Sequence, residues 1–202
     1  MRNDWIPVID DSIRLKKIRD TLEFIADNNL VDESDDLMYG NTGISIYHAY
    51  HYQLTRDEHR LNKCVELARI SVEAIAENKV RNLYFGKGIT GILWGINHLT
   101  EIGVLSNNLE DLVDNNFFEI LKQSSISNLQ IGDYDYMLGG LGPVLLFKDI
   151  GRHEFIYPII KQLLEIRYEK ENQIFWYQSP SITNQSDGKV INVGWRMEYR
   201  VF

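Results

Sequence analysis

The sequence predicts an all-α chain of repeated helical hairpins, the architecture of helix-pair arrays and toroids, and three observations carry that prediction. One phrase, Gly-x-x-Gly, is written three times, as Gly40-Asn41-Thr42-Gly43, Gly88-Ile89-Thr90-Gly91 and Gly139-Gly140-Leu141-Gly142. The first glycines are 48 and 51 residues apart, a period that belongs to helix pairs rather than to a single-core α/β domain. Each phrase opens a strongly apolar run of about three helical turns. Glycines three apart lie on one face of a helix, where the missing side chains let a neighbouring backbone come close.

The elements follow in order. Residues 12–26 place Ile13, Ile18, Leu22 and Ile25 on one face, which predicts an outer helix. Residues 44–52 are apolar or aromatic nearly all round and predict the first inner helix, covered on every side. Thr55-Arg56-Asp57-Glu58 has the form of a capping box, and Leu61, Val65, Ala68, Ser71 and Ile75 then recur on one side of the next outer helix. A second inner helix is predicted over 89–99, its outer partner over 109–123, and a third inner helix over 141–147, closed by Ile150. Residues 154–167 predict the last outer helix, with Ile156, Ile159, Ile160, Leu163 and Leu164 as its buried stripe. Past Tyr168 the pattern breaks into a polar loop over 179–189, between short apolar pieces.

Composition narrows the class. A chain of 202 residues with 44% hydrophobic content can bury a core, and the 25% charged fraction argues against disorder. The net charge of −8 and the lack of a Lys/Arg cluster oppose a nucleic-acid partner. Met1-Arg2-Asn3-Asp4-Trp5 lacks the apolar core of a signal peptide, and no apolar stretch reaches the ~20 residues that span a bilayer, so a cytoplasmic protein is expected. The single cysteine, Cys64, rules out an internal disulfide and reads as a small buried hydrophobe rather than a reactive thiol.

The phrases Leu83-Tyr84-Phe85-Gly86-Lys87-Gly88-Ile89-Thr90-Gly91-Ile92-Leu93-Trp94 and Asp133-Tyr134-Asp135-Tyr136-Met137-Leu138-Gly139-Gly140-Leu141-Gly142 resemble the lanthionine synthetase C-like family, over nearly the whole chain. The resemblance implies an α/α toroid of double helical layers, of which residues 1–202 form a single partial domain, roughly the first half of an (α/α)6 barrel. It implies a zinc ion in the central hole that activates a peptide cysteine thiol. The partner is a modified precursor peptide, whose thiolate adds to a dehydroalanine or dehydrobutyrine and closes a thioether ring. An aspartate after a tyrosine, just before the third Gly-x-x-Gly, belongs to the family's proton machinery. Tyr134-Asp135 matches that position, making Asp135 a candidate acid or base and Tyr134 its neighbour. Leu138 stands where the family often has an acidic residue or histidine. A plainer reading has Asp133 or Asp135 capping the following helix, and one carboxylate there can do both.

The family's later elements have no counterpart. Its catalytic histidine lies in a His-Gly pair at the fourth inner helix, and its zinc ligands, a cysteine and a Cys-His pair, come from the fifth and sixth. Cys64 lies in the wrong repeat to substitute, so no metal ligand is assigned and no zinc is expected on this chain. One further period reaches Ile191-Asn192-Val193-Gly194-Trp195, where the family continues with a phrase such as Ala-His-Gly-Ile-Pro. The chain instead reads Arg196-Met197-Glu198-Tyr199-Arg200-Val201-Phe202. Loss of one G near the Trp195 codon, with CGN codons for both arginines, lets the restored frame read Ala-His-Gly-Ile-Pro. Residues 196–202 are therefore expected to be a frameshifted tail, and the chain a truncated, inactive part of a cyclase. An uncovered apolar edge would then favour self-association.

The remaining titratable and aromatic residues read as structural. His48 and His51, three apart on the first inner helix, have metal-ligand spacing but are read as polar positions at a helix end. His59, His98 and His153 read as surface or capping residues, and Trp94 and Trp176 as cavity-filling rather than cavity-lining. Asp32-Glu33-Ser34-Asp35-Asp36 reads as a solvated loop. Two other classes stay open: a non-enzymatic helical repeat that binds a peptide or protein, and a carbohydrate-processing (α/α)6 toroid, which needs two carboxylates across a cleft.

Overall fold

The computed structural model describes residues 11–27, 34–106, 109–170, 173–178, 190–191 and 197–198. The expectations for 28–33, 179–189, 192–196 and 199–202 lie outside the described residues. The chain is mostly helical, in the order α1 (Ser12–Asp27), α2 (Asn41–Thr55), α3 (Glu58–Ala76), α4 (Ile89–Glu101), a 3-10 turn (Leu109–Asp111), α5 (Asn115–Gln130), α6 (Gly142–Asp149) and α7 (His153–Glu165). Helices α2, α4 and α6 pack side by side as an inner layer, and α3, α5 and α7 cover them from outside. This is the alternation of an α/α toroid.

The core has two parts that meet on α4. On one flank its Ile92, Ile96 and Leu99 pack with Ala49 of α2 and Cys64 and Ala68 of α3. On the other, Ile89 and Leu93 join Phe118, Leu121 and Leu129 of α5, Leu146 and Phe147 of α6, and Phe155 and Ile159 of α7. Residues 89–99 and 141–147 are enclosed as the sequence predicts, whereas α2 leaves Tyr50 and Leu54 exposed.

Several expectations are corrected. The cap of α3 is Asp57, whose carboxylate accepts from His59 N–H at 2.9 Å, while Thr55 is the last residue of α2. Small residues form the buried face of α3, namely Cys64, Ala68, Ser71 and Ala74, with Arg60, because they let α3 approach α2 closely; Val65 turns to solvent. The predicted helix at 109–123 divides into the 3-10 turn and α5, since Asp114 caps α5 by accepting from Phe117 N–H at 2.9 Å. On α7 the buried pair is Phe155 and Ile159, whereas Ile160 and Leu164 are exposed.

Helix α1 forms, but Ile13, Ile18 and Leu22 stay exposed. It meets α2 along a groove lined by Leu15, Ile18, Leu22, Tyr47, Tyr50 and Leu54. Two polar contacts anchor it, a hydrogen bond between Glu23 and His51 at 2.7 Å and an ion pair between Asp27 and Arg60 at 2.5 Å. Beyond α7 short antiparallel strands, which the helical period does not announce, replace the repeat. Strand β1 (Tyr168–Lys170) pairs with β2 (Gln173–Phe175), β2 with β5 (Met197–Glu198), and β3 (Tyr177–Gln178) with β4 (Val190–Ile191). Between β2 and β3, Trp176 is buried in the core and donates its indole N–H to the Leu163 carbonyl at 2.8 Å, so it fills.

Candidate functional site

Three loops of one design lead into the inner helices, over 34–40, 82–88 and 133–139. In each, the N–H after the first glycine donates to the carbonyl seven residues back: Asn41 to Ser34 at 2.9 Å, Ile89 to Asn82 at 3.0 Å and Gly140 to Asp133 at 3.0 Å. The side chain of that earlier residue accepts from the N–H two residues on, at 3.5 Å for Ser34, 3.3 Å for Asn82 and 3.4 Å for Asp133. Such side-chain turns are the local preference of Ser, Asn and Asp. Thr42 and Thr90 tie the first helical turn to the loop by donating to the Asp35 carbonyl at 2.6 Å and the Leu83 carbonyl at 2.5 Å.

The paired glycines are explained by this curl. A Cβ at Gly40, Gly88 or Gly139 would press into residue 34, 82 or 133, and one at Gly43, Gly91 or Gly142 would press on the carbonyl of Leu37, Phe85 or Tyr136. What comes close is the motif's own preceding loop, joined at Gly91 and Gly142 by Leu37 and Phe85 of the loop one repeat earlier, and not a neighbouring helix.

Aligned on this frame, Asp133 corresponds to Ser34 and Asn82, and Asp135 to Asp36 and Tyr84. Asp133 is buried, and burial pushes its carboxyl above the usual range. It is a turn former. Asp135 is exposed and its Oδ1 accepts from Met137 N–H at 2.8 Å and Leu138 N–H at 2.6 Å. It caps the loop turn ahead of α6 rather than the helix itself. Asp36 does the same, accepting from Tyr39 N–H at 2.8 Å, and it is buried, which corrects the solvated-loop expectation at that residue. Tyr134 is buried, its hydroxyl has no partner among the described residues, and burial pushes it up to about 12, so it holds its proton as part of the wall. Aligning the three phrases on their first glycines would have revealed Ser34, Asn82 and Asp36.

The histidines and the cysteine are dispersed. His48 is buried mid-helix within the field of the Arg60 guanidinium, not at a helix end, while His51 bonds Glu23. Cys64 is fully buried, its sulfur beside the Ser45 hydroxyl at 3.4 Å, and burial raises its thiol above the usual range. His98 is neither a cap nor an isolated surface residue. Tyr50 of α2 meets its Nε2 at 2.8 Å, Trp94 stacks on its ring at 5.2 Å, and the Trp94 indole N–H donates to Asp149 of α6 at 2.6 Å. A polar aromatic row therefore crosses all three inner helices, and Trp94 is part of a surface as well as of the core.

The fold and the loop-capped inner helices define the class, an α/α helical-hairpin repeat whose inner helices begin on Gly-x-x-Gly. The sequence matches the family described as Lanthionine synthetase C-like protein over residues 31–187, and the chain belongs to that family. No curated protein matches it. Among the described residues no helix is long and apolar enough to cross a membrane.

Zinc, which the family implies, does not fit the donors among the described residues. The only thiol of the chain is inward-facing and bonded to Ser45, His48 is shut in within the field of a guanidinium, and His51 is committed to a carboxylate. Among the described residues no three His, Cys, Asp or Glu side chains converge as metal ligands would.

Proposed function

We propose that the chain serves peptide thioether formation of the lanthionine synthetase C-like kind, presenting the Asp135 carboxylate to a modified precursor peptide without the means to activate the thiol by itself. The reaction adds a cysteine S–H across the C=C bond of a dehydroamino acid. Sulfur bonds the β carbon, the π pair moves to the enolate, and one proton, matching that lost by the thiol, ends on the α carbon; no oxidant or reductant enters.

The observation that carries this reading is the placement of Asp135. It is exposed at the mouth of the third inner helix, and among the described residues both of its hydrogen bonds fall on Oδ1, which leaves Oδ2 as the atom to give or take a proton. Tyr134, buried and held protonated, supports the loop and takes no part in transfer. A thiolate needs a cation or base beside it, and neither Cys64 nor the histidines supply one at this loop.

The row Tyr50, His98, Trp94 and Asp149 favours a second reading, peptide binding without turnover, because aromatic faces and a carboxylate along a helical-repeat surface suit an extended peptide. A carbohydrate-processing site finds no support in Asp133 and Asp135, since Asp133 is buried in its turn rather than set across a cleft.

One experiment tests both. The purified chain, and its Asp135→Asn variant, are incubated with a peptide carrying one cysteine and one dehydroalanine, while zinc content, binding and loss of free thiol are followed. Binding with the thiol intact and substoichiometric zinc is expected for both proteins. Stoichiometric zinc with thiol loss that Asp135→Asn abolishes would show a self-sufficient cyclase, and absence of binding would overturn both readings.

A further inference from the structure

The polar row across the inner helices keeps register. Tyr50, His98 and Asp149 each lie ten residues after the first glycine of their phrase, Gly40, Gly88 and Gly139, so three polar groups take one position on α2, α4 and α6. Trp94 ties them together, its ring stacked on His98 at an interplanar angle of 4° and its indole N–H given to Asp149. Two more rings come from the entry loops. Phe85 meets Trp94 edge to face with centroids 5.5 Å apart, and meets Tyr136 at 5.9 Å. A belt of main-chain bonds holds these loops side by side, from Met38 N–H to the Gly86 carbonyl at 3.0 Å and from Gly86 N–H to the Met137 carbonyl at 2.6 Å.

Trp94, Tyr136 and Asp149 therefore surround one spot, floored by the buried Phe85. Tyr136 is close enough to Asp149 for the carboxylate charge, after burial, to raise its hydroxyl above the usual phenol range. Trp94 and Tyr136 are half-buried and Asp149 is exposed, so rings and carboxylate reach solvent together. The carboxylate is not neutralised from within. Among the described residues no lysine, arginine or histidine pairs with it, the adjacent Lys148 included, and the one hydrogen bond it accepts falls on Oδ2. The walls come from α4, α6 and the two loops that lead into them, so the site does not depend on what stands beyond either end of the array.

We infer that this corner binds the basic side chain of a peptide, a lysine ammonium or an arginine guanidinium, against Asp149 with Trp94 and Tyr136 as aromatic walls. Ring faces carry the negative part of the quadrupole and attract a cation, and a carboxylate beside them adds a charge-assisted hydrogen bond. The same groups repel an anion, and one carboxylate among rings gives a metal ion too few ligands. The Trp94 N–H fixes the carboxylate against the indole, and the stack on His98, itself bonded to Tyr50, fixes the plane of Trp94. The net charge of −8 draws a basic peptide to the chain. Tyr136 directly follows Asp135, so the bound side chain anchors the peptide at the loop that carries the candidate acid or base. The inference rests on the reading that the chain takes a peptide, and names the kind.

The test titrates N-acetylated peptides into the full chain by calorimetry. Each carries one cysteine, one dehydroalanine and, at one further position, lysine, arginine, Nε-acetyllysine or glutamate. The lysine and arginine peptides are expected to bind about tenfold tighter than the acetyllysine peptide, and the glutamate peptide weakest. Asp149→Asn, which keeps an oxygen for the indole N–H and loses the charge, is expected to remove that preference, and added salt to shrink it. A probe free of any peptide, Nα-acetyllysine amide, is expected to shift the Trp94 indole N–H resonance, identified by its loss in Trp94→Phe, whereas the Nε-acetylated probe is not. Equal binding of the lysine and acetyllysine peptides, or a preference that survives Asp149→Asn, would overturn the inference. If no peptide binds while the amide still shifts the Trp94 resonance, the peptide reading falls and the cation site stands; if neither happens, both fall.

Discussion

Asp36 and Asp135 occupy the same place in two copies of one loop, and both cap the turn that follows them. A carboxylate here can thus serve structure, although the second loop closes with Tyr84 in its place, and exposure separates the two: Asp36 is buried, while Asp135 faces solvent. His48 makes a sharper prediction. At 2% exposure and within the field of Arg60, its imidazole is lowered from 6.5 to about 4, chiefly by burial and then by the guanidinium charge. Because the folded value is depressed, the unfolded chain binds a proton that the folded one refuses. Stability is thus complete above pH 6.5 and falls as the pH drops toward about 4. The whole loss is on the order of 3 kcal/mol. Thermal melts between pH 6.5 and 5 should show His48→Gln less pH-sensitive than wild type.

At the same scale, Gly91→Ala drives a Cβ into the Phe85 carbonyl and against Leu37, neither of which can yield without moving a loop, and should destabilise by about 2–3 kcal/mol. Gly103, at φ 73° after α4 with open space around it, should lose only about 1 kcal/mol on the same change, through backbone strain alone. Urea unfolding of the pair measures the contrast.

At the scale of elements, local chemistry and packing share the decisions. Caps set the starts: Asp57 and Asp114 begin α3 and α5, and Thr55, although it opens a capping-box phrase, ends α2 instead. Asp57→Ala should cost about 1 kcal/mol and Thr55→Ala clearly less, a difference readable in denaturant midpoints. Packing sets the faces. The apolar stripe that periodicity assigns to α3 is displaced because Cys64 and Ala68 let the helix approach Ala49, and closeness stabilises more than the burial of one valine. Helix α1 shows the converse: its amphipathic pattern is sound, but it is held by one ion pair, one hydrogen bond and one groove, and much of the pattern stays exposed.

For the molecule as a whole, the glycine period and the apolar runs behind it determined the helical-hairpin repeat, its layering and its family. Those features act over one or two turns and so are visible in a linear sequence. Asp135 was pointed to by the resemblance of its phrase to the family, not by the period itself, which puts Tyr84 at the same place in the second repeat. What only the tertiary structure decided was how the repeats meet. The match of Ser34, Asn82 and Asp133, the main-chain belt through Met38, Gly86 and Met137, and the row from Tyr50 to Asp149 join residues some 50 positions apart. Contacts of that reach depend on the curvature of the whole array and on which small side chains let helices close, and no local propensity encodes either.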